Sequence, residues 1–138
     1  MTQTEADNIP ANCLAGSEAQ QLLETISQWK NTTAVILHGG SVFEFKGVFP
    51  QGELAQGFYN LKGESGFEGH LNLKKITSIA FQSKLHRGQE SHAFVFQDGN
   101  HYCIFKIFLG RDSDHQLYLS QKQFYLDLKQ KVEHGESR

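Results

Sequence analysis

The residues best suited to chemistry near neutral pH are seven histidines: His38, His70, His86, His92, His101, His115 and His134. A neutral imidazole is the commonest metal-ligating side chain, but its use depends on spacing. No two of these histidines stand at i, i+3 or i+4 on a helical stretch, the arrangement that holds a bare Zn²⁺. A ligand that brings its own four equatorial nitrogens needs only one or two histidines from the protein, and that option stays open. Cys13 and Cys103 lie too far apart to read as a disulfide framework. Cys103, within an apolar run, reads as a buried and inert thiol.

The motifs that make enzymes legible are missing. There is no phosphate loop, paired CxxC, HExxH or G-x-S-x-G nucleophile elbow. Gly63-Glu64-Ser65-Gly66 matches no phosphate cradle and reads as a turn. A net charge of −2 over 138 residues supplies no cationic field for nucleic acid. No apolar run approaches the ~20 residues needed to span a bilayer. Met1–Pro10 has neither a basic n-region nor an apolar h-region, so the expected location is the cytoplasm, with no membrane insertion.

These side chains must be held by some framework, and the hydrophobic pattern indicates one. Residues 1–16 show no periodicity and read as a flexible leader, and 17–134 as a single domain. Ser17 with Gln20 makes a capping-box pair, after which Leu22, Leu23, Ile26 and Trp29 fall on one helical stripe. From Thr32 to Leu109 the period is two, which predicts about seven strands. Asp98-Gly99 predicts a hairpin at the middle of the sheet. Ser120 with Gln123 opens a second helix carrying Phe124, Leu128 and Val132. Strands in one block with helices at both ends predict an α+β fold, a large mainly antiparallel sheet flanked by N- and C-terminal helices.

The strand block resembles the ChuX/HutX family of bacterial haem-utilisation proteins from about Asn31 to Leu117. The piece that carries most of the resemblance is Phe105-Lys106-Ile107-Phe108-Leu109-Gly110-Arg111-Asp112. Phe43-Glu44-Phe45-Lys46-Gly47, Gly57-Phe58-Tyr59-Asn60-Leu61-Lys62-Gly63 and Gly69-His70-Leu71 support it. The resemblance implies the haem-utilisation fold, a homodimer, and an intracellular haem carrier or buffer working beside haem-degrading enzymes. It also implies histidine ligation of the iron. One family histidine follows glycine and carries over to His70. The other falls on Leu37 in an ungapped alignment, one residue before His38. A one-residue slip turns a side chain to the opposite face of a strand. His38 would reach the iron if Gly39-Gly40 hosted a bulge. Leu85-His86-Arg87-Gly88 is a second departure, polar where the family is apolar; His86 and Arg87 read as a solvated loop, with a ligand role as the alternative.

Haem is a flat apolar disc with two anionic propionates, so its site needs aromatic or aliphatic walls, an axial nitrogen and cations at the rim. The candidates are His70 and His38 for the iron, and Phe58, Tyr59, Lys106 and Arg111 for the rest of the ligand. Phe43, Phe45, Phe67 and Phe81 are further wall candidates. Lys106 interrupts a run that reads as a strand buried on both faces, and either snorkels, pairs with Glu44 or meets a propionate. Arg111 and Asp112 read first as a structural ion pair. Protons compete with iron for imidazole, so affinity should fall below about pH 6.5. A carrier is preferred over a haem-degrading enzyme on the same scaffold, because no distal acid or hydroxyl is identifiable. A binding module that has lost haem is the third reading.

Overall fold

The computed structural model describes residues 9–64 and 66–135. Its elements run β1 (Leu14–Ala15), α1 (Ala19–Ile26), β2 (Thr32–His38), β3 (Ser41–Gly47), β4 (Gln51–Ala55), β5 (Phe58–Lys62), β6 (Gly69–Leu71), β7 (Ser78–His86), β8 (Gln89–Gln97), β9 (Cys103–Leu109) and α2 (Leu119–Glu133). The architecture is α+β, as the pattern predicts. The strands divide into a six-stranded sheet, ordered β1-β7-β8-β9-β2-β3, and a three-stranded sheet, β4-β5-β6, with every pairing antiparallel. The division falls where Gly47 ends β3 at φ 148° and Pro50, with no N–H to donate, stands before β4.

Alternation decides which side of the large sheet is covered. Phe94 and Phe96 of β8 are fully buried and lie opposite Ile107 and Phe105 of β9. Ala34 of β2 continues the row from Ile107. Onto this face α1 sets Leu22, Leu23 and Ile26, and α2 sets Tyr125 and Leu128, all in one buried cluster. The Tyr125 ring lies 5.2 Å from Phe94 and 5.4 Å from Phe81. Tyr59 and Leu61 of the small sheet join the same cluster. The two sheets and two helices therefore share one core.

Several local expectations are corrected. Neither capping box forms: α1 is preceded by Glu18 and α2 by Tyr118, and neither side chain accepts a capping hydrogen bond. Gln20 and Gln123 bond along their helices instead, to Glu24 at 2.9 Å and to Asp127 at 2.8 Å. The β8–β9 hairpin does sit at the middle of the sheet. Its positive φ belongs to His101 (67°), not Gly99, because the Asp98 carboxylate accepts the N–H of Asn100 at 2.8 Å and of Tyr102 at 3.1 Å and so closes a longer loop. Cys103 opens β9 next to a register shift and is exposed, not buried. Of the expected leader, residues 1–8 lie outside the described residues. Leu14–Ala15 at its end are paired to Ile79 and Ser78.

Burial raises the Tyr125 hydroxyl to about 12, against a smaller lowering by its Ser83 hydrogen bond. The folded state thus favours the neutral phenol, and the unfolded chain ionises first. Stability from this group is complete below pH 10 and is lost as pH rises through 12. Urea midpoints measured across that window should fall more steeply for the wild type than for Tyr125→Phe.

Candidate functional site

His70 is exposed at the centre of β6 and pairs directly across the strand with Asn60 of β5. Its Nδ1 lies 2.6 Å from Asn60 Oδ1. The proton on that contact can be assigned from the other end of the amide. Asn60 Nδ2 donates to the carbonyls of Glu53, Ala55 and Phe58 at 3.2, 3.1 and 3.3 Å. The oxygen end therefore faces the imidazole and can only accept. In the neutral imidazole His70 Nδ1 is then the donor, and Nε2 carries the bare lone pair. This is the arrangement in which a ligating histidine is held by a carbonyl on its far nitrogen.

The surroundings of His70 follow from the same alternation. Glu53, opposite Asn60, and Lys62, two residues on, share its face and form an ion pair that holds the Glu53 carboxyl below its ordinary range. The Phe58 ring sits 6.1 Å from the imidazole, edge to face. Tyr59, its neighbour in sequence, points the other way. It is 1% exposed and forms core, with its ring so close to Gly52 that a Cβ there would meet ring carbons at 2.4 Å. Of the two adjacent aromatics proposed as walls, only Phe58 stands beside His70. Phe81 is half-buried against the core, and Phe67 links the sheets by stacking on Phe45 at 4.6 Å.

His38 belongs to the other sheet, at the end of β2. The β2–β3 ladder is regular through His38↔Ser41, and Gly39 and Gly40, at φ 60° and 80°, make a tight two-residue turn. No bulge re-aims the strand. Leu37, with Val35 and Thr33, lines a cleft of about 960 Å³ on the sheet face that carries no helix, while His38 alternates to the other face.

Lys106 and Arg111 are also placed by the structure. Burial along β9 alternates, so the strand is covered on one face only, and Lys106 lies half-buried on the open one. Its Nζ donates to Gln82 Oε1 at 2.9 Å; Val35 stands between it and Glu44 in the register, so the expected Glu44 pair does not form. Arg111 and Asp112 do not pair with each other. The Arg111 guanidinium donates to the carbonyls of His115, at 3.1 Å, and Glu90, while the Asp112 carboxylate accepts the N–H groups of Asp114 and Gln116 at 2.8 and 3.0 Å. Gly110 is needed because a Cβ would come within 2.1 Å of the Asn31 carbonyl oxygen. The Gly110-Arg111-Asp112 segment thus closes the connection into α2.

Among the described residues no three His, Cys, Asp or Glu gather to hold a metal ion. His92 is buried and engaged at both nitrogens, by Ser83 at 2.9 Å and Glu90 at 2.6 Å. His86 ends β7 in an exposed hairpin whose turn is Arg87 and Gly88, at φ 51° and 80°. Asn60 is the residue that sequence reasoning missed. The hairpin pairing of Phe58–Lys62 with Gly69–Leu71 would have found it, since that register sets Asn60 against His70.

The folded chain superimposes on proteins of known structure. A crystal structure of a protein from Erwinia carotovora matches with a TM-score of 0.80 at 32% identity, over 87% of this chain and 74% of that one. The structure described as the heme binding protein ChuX matches with a TM-score of 0.78 at 26% identity, over 88% and 76%. The fold class is therefore that of these helix-flanked antiparallel-sheet proteins. The chain belongs to the family described as Haem utilisation ChuX/HutX, whose model matches residues 12–126. The intracellular heme transport protein HutX of Vibrio cholerae is 43% identical over 107 residues, which are 77% of this chain and 55% of that protein. The chain thus spans about half the length of that relative. No helix among the described residues is long and apolar enough to cross a membrane.

Proposed function

We propose that this protein is an intracellular haem carrier or buffer in haem-iron utilisation, with His70 as the axial ligand to the iron. The observation that carries the reading is the bare Nε2 of an exposed imidazole whose other nitrogen is held by an oriented amide. Iron of a haem needs one such nitrogen, because the macrocycle fills the equatorial positions. Phe58 offers an apolar ring beside it, and Lys62 a cation on the same face. The names of the relatives support transport and binding in place of degradation: HutX is called a transport protein and ChuX a heme binding protein.

Titration of the pure protein with hemin, read by the Soret band, tests this directly. A saturable shift supports the reading, and a spectrum that stays that of free hemin overturns it. Asn60→Leu should weaken the affinity about 10- to 100-fold, the usual cost of losing the group that orients a ligating histidine. Asn60→Asp keeps the acceptor oxygen and should restore most of it. A role for Asn60 confined to bracing the β4–β5 turn would not separate these two variants.

A homodimer and delivery to a haem-degrading enzyme belong to the same proposal. Supporting the first is β3, an unpaired edge of the large sheet exposed along its whole length and carrying Val42, Phe43 and Phe45. Exposed apolar edges invite a partner. Sedimentation equilibrium should give twice the mass of the 138-residue chain, with Phe43→Lys lowering the dimer fraction.

A further inference from the structure

Away from His70, on the six-stranded sheet, a serine, a histidine and a carboxylate stand in line. Ser83 of β7 and His92 of β8 are direct cross-strand partners, and Ser83 Oγ lies 2.9 Å from His92 Nδ1. His92 Nε2 lies 2.6 Å from the Glu90 carboxylate, whose other oxygen accepts from Lys122 of α2 at 2.8 Å. Hydrogen bonds from Lys122 and His92 hold the Glu90 carboxyl below its ordinary range, so it is an ion and can only accept. In the neutral imidazole the proton is therefore on Nε2, Nδ1 keeps the lone pair, and Ser83 donates its one proton to it. An imidazole oriented by a carboxylate and bonded to a hydroxyl is the arrangement that activates a serine as nucleophile. The two ring nitrogens here exchange the roles they hold in serine proteases, which the other tautomer of imidazole allows.

Exposure divides among the three as such roles require. Ser83 is exposed and within reach of a substrate, whereas His92 is buried, with the Tyr125 ring 4.8 Å from the imidazole keeping water off the base. Because Ser83 gives its proton to His92, its Oγ accepts from the Tyr125 hydroxyl at 2.8 Å, and Lys129 Nζ stands at 3.5 Å. Both donors sit beside the atom that would form a new bond, where charge would develop on a carbonyl oxygen joined to it through one carbon. Leu85, two residues along the same face of β7 and largely exposed, offers an apolar contact to a short acyl chain. The haem-carrier reading uses none of these side chains.

We propose that Ser83, His92 and Glu90 form an acyl-transfer site that hydrolyses short-chain carboxylic esters, with Ser83 as nucleophile, His92 as general base and Glu90 as the positioning residue. Transfer of the Ser83 proton to His92 Nδ1 lets Oγ bond to the ester carbonyl carbon, whose π electron pair moves onto its oxygen beside Tyr125 and Lys129. When that pair returns, the bond to the alcohol oxygen breaks, and the alcohol leaves with the proton held by His92. Water then gives a proton to Nδ1 and attacks the acylated Ser83, releasing the acid and restoring the hydroxyl. Ester and water become acid and alcohol, and no oxidant or reductant is consumed.

p-Nitrophenyl acetate and a fluorophosphonate reporter, each mixed with the full chain, test this site. The wild type should release a burst of p-nitrophenol approaching one equivalent before slower turnover, with the acetyl group on Ser83 by peptide mass mapping. The fluorophosphonate should label the same residue with loss of fluoride. Ser83→Ala should abolish the burst and the label; the side chain is exposed, so circular dichroism should be unchanged. His92→Gln should slow acylation about 100-fold or more, the usual contribution of a general base. Glu90→Gln can turn its amide N–H₂ toward Nε2 and so move the imidazole proton to Nδ1, where it blocks the base; acylation should slow nearly as much, and Glu90→Asp should recover part of the rate. A bracing role for Glu90 alone would leave acylation by Glu90→Gln unchanged, and that result overturns the triad. Hydrolysis equal in wild type and Ser83→Ala, with acetyl groups on lysine or histidine only, overturns the site altogether.

Discussion

Hemin affinity should drop by at least about 100-fold in His70→Ala at the site that this residue serves, a larger loss than removing its orienting partner produces. The Nε2 lone pair is what the site offers the iron, and alanine leaves no donor on that face of β6. The Soret maximum should move toward that of unligated hemin, and an equivalent of tight binding should vanish from the titration. Stability should hardly change, because an exposed side chain bonded to one amide contributes within about 0.5 kcal/mol. His38→Ala serves as the contrast. It sits at a hairpin tip on the other sheet, and its replacement should leave hemin binding unaltered. A His70→Ala protein that binds hemin as tightly as the wild type with the same spectrum would end the assignment of the ligand.

Phe94→Ala should produce the largest loss of stability of any single truncation, about 3–5 kcal/mol. Phe94 is fully buried, at 5.2 Å from the Tyr125 ring, 5.8 Å from Phe81 and 6.5 Å from Trp29. Those partners come from α2, β7 and the segment after α1, so a cavity there unpins both helices from the sheet together. Domains of this size are stable by about 5–15 kcal/mol, so the variant would retain little margin. Urea unfolding followed by tryptophan fluorescence reads the change, since Trp29 is the one tryptophan. Phe43→Ala is the control. Half of that ring already meets water, and its loss should cost less than about 1 kcal/mol.

What could be seen in the amino-acid sequence was what depends on near neighbours. Period-two runs marked the strands, and Asp98-Gly99 marked the hairpin at the sheet's centre. The helix starts mislead, because Ser17 and Ser120 are good capping residues only if the chain turns into the helix there, whereas α1 begins after Glu18 and α2 after Tyr118. The split into two sheets depends on Gly47 and Pro50 acting together with the burial of Phe49, which local patterning does not show. His70 was visible through its Gly-His context. Asn60 was not, since its role appears only once β5 and β6 are in register. Lys106 misled for the opposite reason: a run of apolar letters suggested two covered faces, whereas both helices lie on one. The cleft could not be read at all, as its lining comes from five strands and the loop before α2.

Strand β6 has three residues, lies at the edge of its sheet and is held through Tyr59↔Leu71, Asn60↔His70 and Leu61↔Gly69. A strand that short can fray without disturbing the core, at a small fraction of the free energy of global unfolding. Fraying would pull His70 away from Asn60 and release the tautomer that keeps Nε2 bare. The residence time of a ligand on His70 is then bounded by the closed lifetime of three backbone pairings, which makes the off-rate adjustable through β6 with the core left as it is.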